Sequence, residues 1–275
     1  MSHNLASPFF KNEIVAPTLA RRILFPDHIS RPAAVAAALC LVATFIVAAH
    51  AQDPFRGWQW QNPLPQGNSI NAIRFASDKK RGWAVGANGV VLATNNGGFE
   101  WQEQESPSAT TLYGMYVKDR SRVVISGARG VILTTNNGGK KWTLRKTGVR
   151  DHLFSVTFAP QNPLHGWAVG TFGSIVATLD GGKTWKQQES KTSAHLFSVA
   201  FANATKGVAV GSRGTILMTT NGGAEWKPIT SSTDVALTGV TFTSETNGVI
   251  VGYRGTILQT SNTGETWTEI GRAHV

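Results

Sequence analysis

Apolar residues alternate with polar or small ones in five short stretches, 70–75, 112–117, 153–158, 196–201 and 237–242. A period of two sends every second side chain to one face, so each stretch predicts a strand. A second apolar run follows each and stops at glycine: W-A-V-G at 83–86, V-I-S-G at 124–127, W-A-V-G at 167–170, V-A-V-G at 208–211 and V-I-V-G at 249–252. A tight turn leads to a third strand, as at 131–134 and 256–259. Asn-Gly or Asp-Gly comes next, a hairpin signal because these residues tolerate positive φ. A strand opened by tryptophan completes the unit.

The opening tryptophans, Trp101, Trp142, Trp185, Trp226 and Trp267, lie 41 to 43 residues apart. That spacing is the mark of a repeat architecture. Each belongs to a motif Ser/Thr-x-Asp/Asn-x-Gly-x-x-Trp, most complete from Thr178 through Asp180 and Gly182 to Trp185. The short polar side chain caps the turn, glycine takes the strained position, and tryptophan packs between sheets. The motif is therefore read as structural, at the outer edge of each unit. A unit with four short strands buries its apolar face only by stacking on neighbours. The expectation is an all-β fold, a five-bladed β-propeller of four-stranded blades over 52–275. A linear solenoid is the rival, but its units are usually shorter. Trp58 lies 43 residues before Trp101 and adds a sixth tryptophan strand. A closed five-bladed ring has no slot for both it and the strand at Trp267. Redundancy at closure is the first expectation, and an incomplete ring completed by another chain is the second.

The segment before the repeats has no such pattern. Residues 1–31, interrupted by Pro8, Pro17 and Pro26, read as disordered. Residues 33–49 form an uncharged apolar run of 17, within a segment 32–51 that suits a signal peptide or a transmembrane anchor helix. Ala49, His50 and Ala51 match a cleavage pattern that would leave Gln52 first. Cleaved signal and uncleaved anchor both remain open. The basic flank is N-terminal, so the repeats are expected outside the cytoplasm, periplasmic or otherwise extracytoplasmic, secreted or held at the inner membrane.

Composition changes this picture little. The chain has 275 residues, 29 glycines, nine tryptophans and one cysteine, Cys40 in the apolar run. No intrachain disulfide and no cysteine-based metal site follow from that count. Net charge is +10, with 22 basic and 14 acidic residues after residue 51. An acidic partner is favoured, without nucleic acid being specified.

Function is sought in the turn between the second and third strands. It reads G-A-R-G at 127–130, G-S-R-G at 211–214 and G-Y-R-G at 252–255, with Asn88 and Phe172 at the tip in the other two units. His152 and His195 precede the innermost strands of their units, whose entries open on the same side. Arg129, Arg213, Arg254, Tyr253, His152 and His195 are therefore expected to converge near the channel as a partner-binding face. Arginine suits bidentate recognition of carboxylate or phosphate. The competing reading is that each arginine only spans its turn and pairs with a neighbouring blade. Lys140, Lys141, Arg145, Lys146 and Arg150 add a basic patch, partly on the opposite edge. No catalytic residue, cofactor or metal site is expected. The chain lacks nucleophile-elbow, phosphate-loop and zinc-helix motifs, its histidines have no metal spacing, and Asp151 beside His152 is the one local acid pair worth naming. No nucleic-acid recognition module is visible.

Together the tryptophan turns, the G-W-A-V-G-x-x-G segments at 82–89 and 166–173 and the G-x-R-G turns resemble the photosystem II stability and assembly factor family and its bacterial relatives. The turn motif alone is shared with bacterial-neuraminidase-repeat propellers, sialidases among them. The resemblance spans about 55–270. It implies an exported or lumenal, non-enzymatic propeller that assists assembly of a membrane photosynthetic complex. It also implies binding of a newly made reaction-centre subunit through an arginine-rich face, at Arg129, Arg213 and Arg254 here. The photosynthetic members resemble seven-bladed rings, whereas five full units are present here. The partner expected is a membrane protein or envelope complex, with anchoring through 33–49 and oligomerisation as further expectations. Two other functions stay open: a structural subunit of a larger envelope assembly, and a glycan-active hydrolase or lyase of sialidase type.

Overall fold

A computed structural model describes residues 67–272. The segments 1–31 and 32–51 and the Trp58 strand lie outside the described residues. Among the described residues no helix is long and apolar enough to cross a membrane.

Each of the five units forms one four-stranded antiparallel sheet whose strands lie in chain order. The first holds β1 (Ile70–Phe75), β2 (Gly82–Gly86), β3 (Val91–Thr94) and β4 (Gln102–Glu103). The second holds β5 (Leu112–Val117), β6 (Val123–Gly127), β7 (Ile132–Thr135) and β8 (Thr143–Arg145). The third holds β9 (Leu153–Ala159), β10 (Asn162–Gly170), β11 (Ile175–Thr178) and β12 (Lys186–Gln188). The fourth holds β13 (Leu196–Phe201), β14 (Gly207–Gly211), β15 (Ile216–Thr219) and β16 (Lys227–Ile229), and the fifth β17 (Leu237–Phe242), β18 (Gly248–Gly252), β19 (Thr256–Thr260) and β20 (Thr268–Arg272). The innermost strands pack in succession, β1 on β5, β5 on β9, β9 on β13 and β13 on β17. This is the propeller-like arrangement that a 41-residue period requires.

The core lies between sheets. Trp83, Val85, Val91 and Ala93 of the first sheet meet Leu112, Met115, Leu133 and Trp142 of the second. The same exchange recurs at the next three interfaces, with Trp185, Trp226 and Trp267 each reaching back to the preceding sheet. Burial of such large side chains stabilises each interface by roughly 1.5–3 kcal/mol per residue, the main term holding the array together.

The turn motif is structural, as its composition implies. In all five copies the threonine hydroxyl accepts the N–H of the glycine three residues before tryptophan and donates to the Asn or Asp two residues on. That Asn or Asp oxygen in turn accepts the N–H of the residue before tryptophan. Buried polar groups are thereby satisfied within the turn itself.

The two end sheets differ from the inner three. Ile70 and Ile73 on β1 are 42% and 47% exposed, while Leu112, Leu153, Leu196 and Leu237 at the position of Ile70 are fully buried. Val251 on β18 is 44% exposed, whereas Val85, Val169 and Val210 at its position are fully buried. Among the described residues, β17 and β1 make no contact of the extent that joins the consecutive inner strands.

Candidate functional site

The turn between second and third strands has one conformation with different tips. Asn88, Arg129, Phe172, Arg213 and Arg254 all stand at φ between 54° and 57°. That left-handed conformation costs a residue with a Cβ roughly 1–2 kcal/mol. The glycine after each tip also has positive φ, and here the requirement is doubled. A Cβ on Gly130 would lie 2.1 Å from the Val149 carbonyl oxygen, where the entry to the third sheet crosses the turn. The Gly130 N–H donates to the Asp151 carbonyl at 2.7 Å, and that of Gly214 to Val235 at 2.8 Å. The first four turns are thus clamped beneath the entry of the next sheet, which fixes the tip side chain at the surface.

This clamping decides which expected residues meet. His152 Nδ1 accepts the N–H of Arg129 at 3.4 Å, and His195 Nδ1 accepts the N–H of Phe172 at 3.1 Å. The histidines therefore belong to successive interfaces, one beneath an arginine tip and one beneath a phenylalanine tip. Arg213 lies one interface further on, where Ala236 occupies the position of the histidines. Arg254 and Tyr253 are on the last sheet, both exposed, with Tyr253 at 65%. The residues share one edge of the array, strung along four successive sheets. Among the described residues, none of the three arginines has a carboxylate within ion-pairing distance.

Sequence reasoning missed the aromatic residues beneath these tips. Tyr113, Phe154 and Phe197 occupy the second position of β5, β9 and β13, all half-buried. Their rings meet in line, Tyr113 to Phe154 at 5.3 Å and Phe154 to Phe197 at 5.7 Å between centroids. His152 stands 6.0 Å from Tyr113, and His195 stands 5.1 Å from Phe172. Asn71 and Thr238 hold the same position at the two ends, so the aromatic row covers only the three middle sheets. The available signal was the second residue of each innermost strand compared across units. An apolar row rimmed by unpaired arginines can hold a chain with apolar and acidic groups.

Other chemistry finds no support in the geometry. Among the described residues no cluster of His, Asp and Glu could hold a metal ion. Asp151 offers its backbone carbonyl to Gly130, a structural use. Asp180 has the largest shift among the described acids. Burial raises its pKa, but bonds from the Thr184 hydroxyl and N–H, the Thr178 hydroxyl and the Lys183 N–H overcome that and hold it down to about 2. Its charge is committed to the turn.

Five antiparallel sheets carrying one Asp/Asn-Gly-Trp turn apiece define the class, a bacterial-neuraminidase-repeat protein with a propeller-like arrangement. The family model described as photosynthesis system II assembly factor YCF48 matches residues 52–147, 146–230 and 183–273, and the chain belongs to that family. No curated protein sequence matches it. Among solved structures, YCF48 bound to D1 peptide is similar at 19% identity and a TM-score of 0.53, over 75% of this chain and 82% of that one. YCF48 from Cyanidioschyzon merolae is similar at 19% identity and a TM-score of 0.50, over 76% and 87%. The GH74 enzyme of Niastella koreensis is similar at 16% identity and a TM-score of 0.59, over 73% of this chain and 38% of the enzyme. At such identities these likenesses speak for the fold alone.

Proposed function

We propose that this chain is a non-enzymatic, extracytoplasmic binding protein that assists assembly of a membrane protein complex, photosystem II being the one its family serves. The observation that carries this is the edge bearing Arg129, Arg213 and Arg254. These side chains are exposed and lack carboxylate partners among the described residues, and an aromatic row lies beside them. A site without a general acid, nucleophile or metal cluster but with free guanidinium groups suits recognition better than turnover. The client is read as a segment of a membrane protein, of the kind that the D1 peptide represents in the related complex. Tyr253, His152 and His195 are assigned supporting contacts on the same edge. The segment 32–51 is read as the signal or anchor that delivers the repeats across the membrane, and 52–275 as the propeller.

The test is affinity capture from native membranes with the purified chain. The wild type is expected to retain a membrane-protein client that the Arg129→Ala/Arg213→Ala/Arg254→Ala variant loses, with unchanged melting. Equal capture by both would remove the arginine edge from the proposal. Protease protection in intact cells tests the compartment, and degradation only after lysis would support export.

A second reading concerns ring closure. The exposed apolar faces of the first and last sheets match the faces that meet at every internal interface. We read the five sheets as blades of a propeller in which those two faces are covered in the working protein. The native mass distinguishes self-association from a monomer.

A further inference from the structure

One repeat position changes the space between sheets. In the middle of the second strand, on the face toward the next sheet, stand Trp83, Val124, Trp167, Val208 and Val249. Where tryptophan is present it crosses the gap. Trp167 stacks flat on Phe201 of the following sheet, centroids 3.5 Å apart and planes 11° apart, and its indole N–H donates to the Gly222 carbonyl at 3.1 Å. Trp83 is fully buried at the first interface, with the Arg81 guanidinium 4.8 Å from its ring, but Val117 stands there at the position of Phe201.

Between the second and third sheets this filler is missing. Val124 stands at the tryptophan position, and the next-strand position facing the same gap is the short Thr134. Phe158 is the counterpart of Phe201 and is 4% exposed: Tyr116 stacks on it at 4.8 Å, and the Trp185 indole meets it edge-on at 6.2 Å. A cavity of about 360 Å³ opens there. The fourth interface also has a valine, Val208, but the longer Met218 occupies the position of Thr134. The first interface also has a cavity on this edge, about 620 Å³, but no aromatic residue lines it.

The rim is cationic. Lys118, Arg122, Lys141, Arg145 and Lys183 line it, against one carboxylate, Asp180. Asp180 is spent on its own turn. Arg122 is paired with Asp119 at 2.6 Å, and Arg145 donates from Nε to the Thr134 hydroxyl at 2.8 Å. Lys118, Lys141 and Lys183 have no carboxylate partner among the described residues. The site thus joins an aromatic, indole-sized slot to uncompensated positive charge.

We propose that the cleft between the second and third sheets, on the edge opposite the arginine tips, binds a flat aromatic group that carries a carboxylate, with the ring against the half-buried Tyr116 and the charge among Lys118, Lys141 and Lys183. Two sources share that chemistry: a free aryl acid, and the aromatic C-terminal residue of a peptide. The cleft is separate from the client-binding edge and stands whether or not that reading does.

Calorimetric titration tests this with 2-naphthoate, neutral 2-naphthalenemethanol, and the peptide N-acetyl-Ala-Ala-Trp as free acid and as amide. Both acids are expected to bind more tightly than their neutral counterparts, and the tighter of the two acids identifies the source. Val124→Trp places in the slot the residue that the fold accepts at 83 and 167, and should weaken binding at least tenfold without lowering the melting temperature. Lys141→Gln with Lys183→Gln should weaken it about fivefold at low salt and remove most of its salt dependence. Should Val124→Trp misfold, the lysine variant carries the test, since it changes only exposed positions. Absence of binding by both acids would overturn the proposal. So would affinity unchanged in the lysine variant, or neutral probes that bind as well as the acids.

Discussion

Each sheet has two tight turns, one on either edge, and they use their side chains in opposite ways. On one edge, the turn before the tryptophan strand is closed in every copy by its own threonine and its Asn or Asp, and its indole is directed toward the preceding sheet. On the other edge, the turn after the second strand is held by backbone bonds and by a glycine beneath the next sheet's entry. Its tip is Asn, Arg, Phe, Arg and Arg in the five units. A turn stabilised by its own side chains keeps its threonine, its Asn or Asp and its tryptophan, and varies only between them, as at Lys141 and Lys183. A turn stabilised by backbone leaves one position free for recognition, and the repeat uses that position differently from sheet to sheet.

Breaking the inward turn should have the largest effect. Trp226 is 1% exposed and its indole N–H donates to Gln188 at 3.2 Å. Trp226→Ala is expected to cost about 3–5 kcal/mol in urea unfolding. Phe172→Ala at an outward tip should change stability by less than about 0.5 kcal/mol. Next comes Thr178→Val, which keeps shape but removes the hydroxyl that bonds Gly182 and Asp180. A loss of about 1–3 kcal/mol is expected from the unsatisfied buried groups.

Acid sharpens the comparison within the inward turns. Asp180 has a folded pKa of about 2 against an ordinary 3.8, so its bonds stabilise the fold above pH 3.8 and are lost as pH falls toward 2. The other copies carry Asn96, Asn137, Asn221 and Asn262, which do not titrate. Asn262 already makes the alternative bond, its Nδ2 donating to Thr266 at 2.9 Å. The stability difference between the wild type and Asp180→Asn should therefore be constant near neutrality and shift in favour of the variant as pH falls through that window. A difference independent of pH would show that the carboxylate charge is not part of the turn.

The smallest effect on stability is expected at the arginine tips. Arg129→Gly relieves a left-handed conformation at φ 56° but frees the unfolded chain, so melting should hold or rise by the equivalent of at most about 1 kcal/mol. Client capture should fall at the same time. A variant that loses stability instead would make the arginine a structural part of its turn.

The strands, their order and the role of the tryptophan turn were legible because each depends on a short span of chain. Alternation gives strands, Asn-Gly and Asp-Gly give hairpins, and a 41-residue spacing gives one sheet per unit. The site was legible only in part. Arg129, Arg213 and Arg254 stood out as one changed residue in a repeated turn. The grouping of His152 with Arg129 and of His195 with Phe172 did not, because each pair comes from two adjoining units. Tyr113, Phe154 and Phe197 passed as ordinary strand residues, since aromatics are common in strands whatever they face.

By itself, the sequence determined the repeat, its four strands, its turn chemistry and the tips that vary. Those are set by local backbone preferences and by side-chain periodicity. Only the packing of one sheet on the next decided that the cleft beside Val124 is lined by aromatic rings, where the cavity at the first interface is lined by none. It alone decided that Ile70 and Val251 are exposed at the ends while their counterparts are buried, and that three aromatic rings run in line beside the arginines. The physical reason is the same in each case: a side chain between two sheets is buried or exposed according to what the other sheet presents, and that partner lies about 40 residues away in the chain.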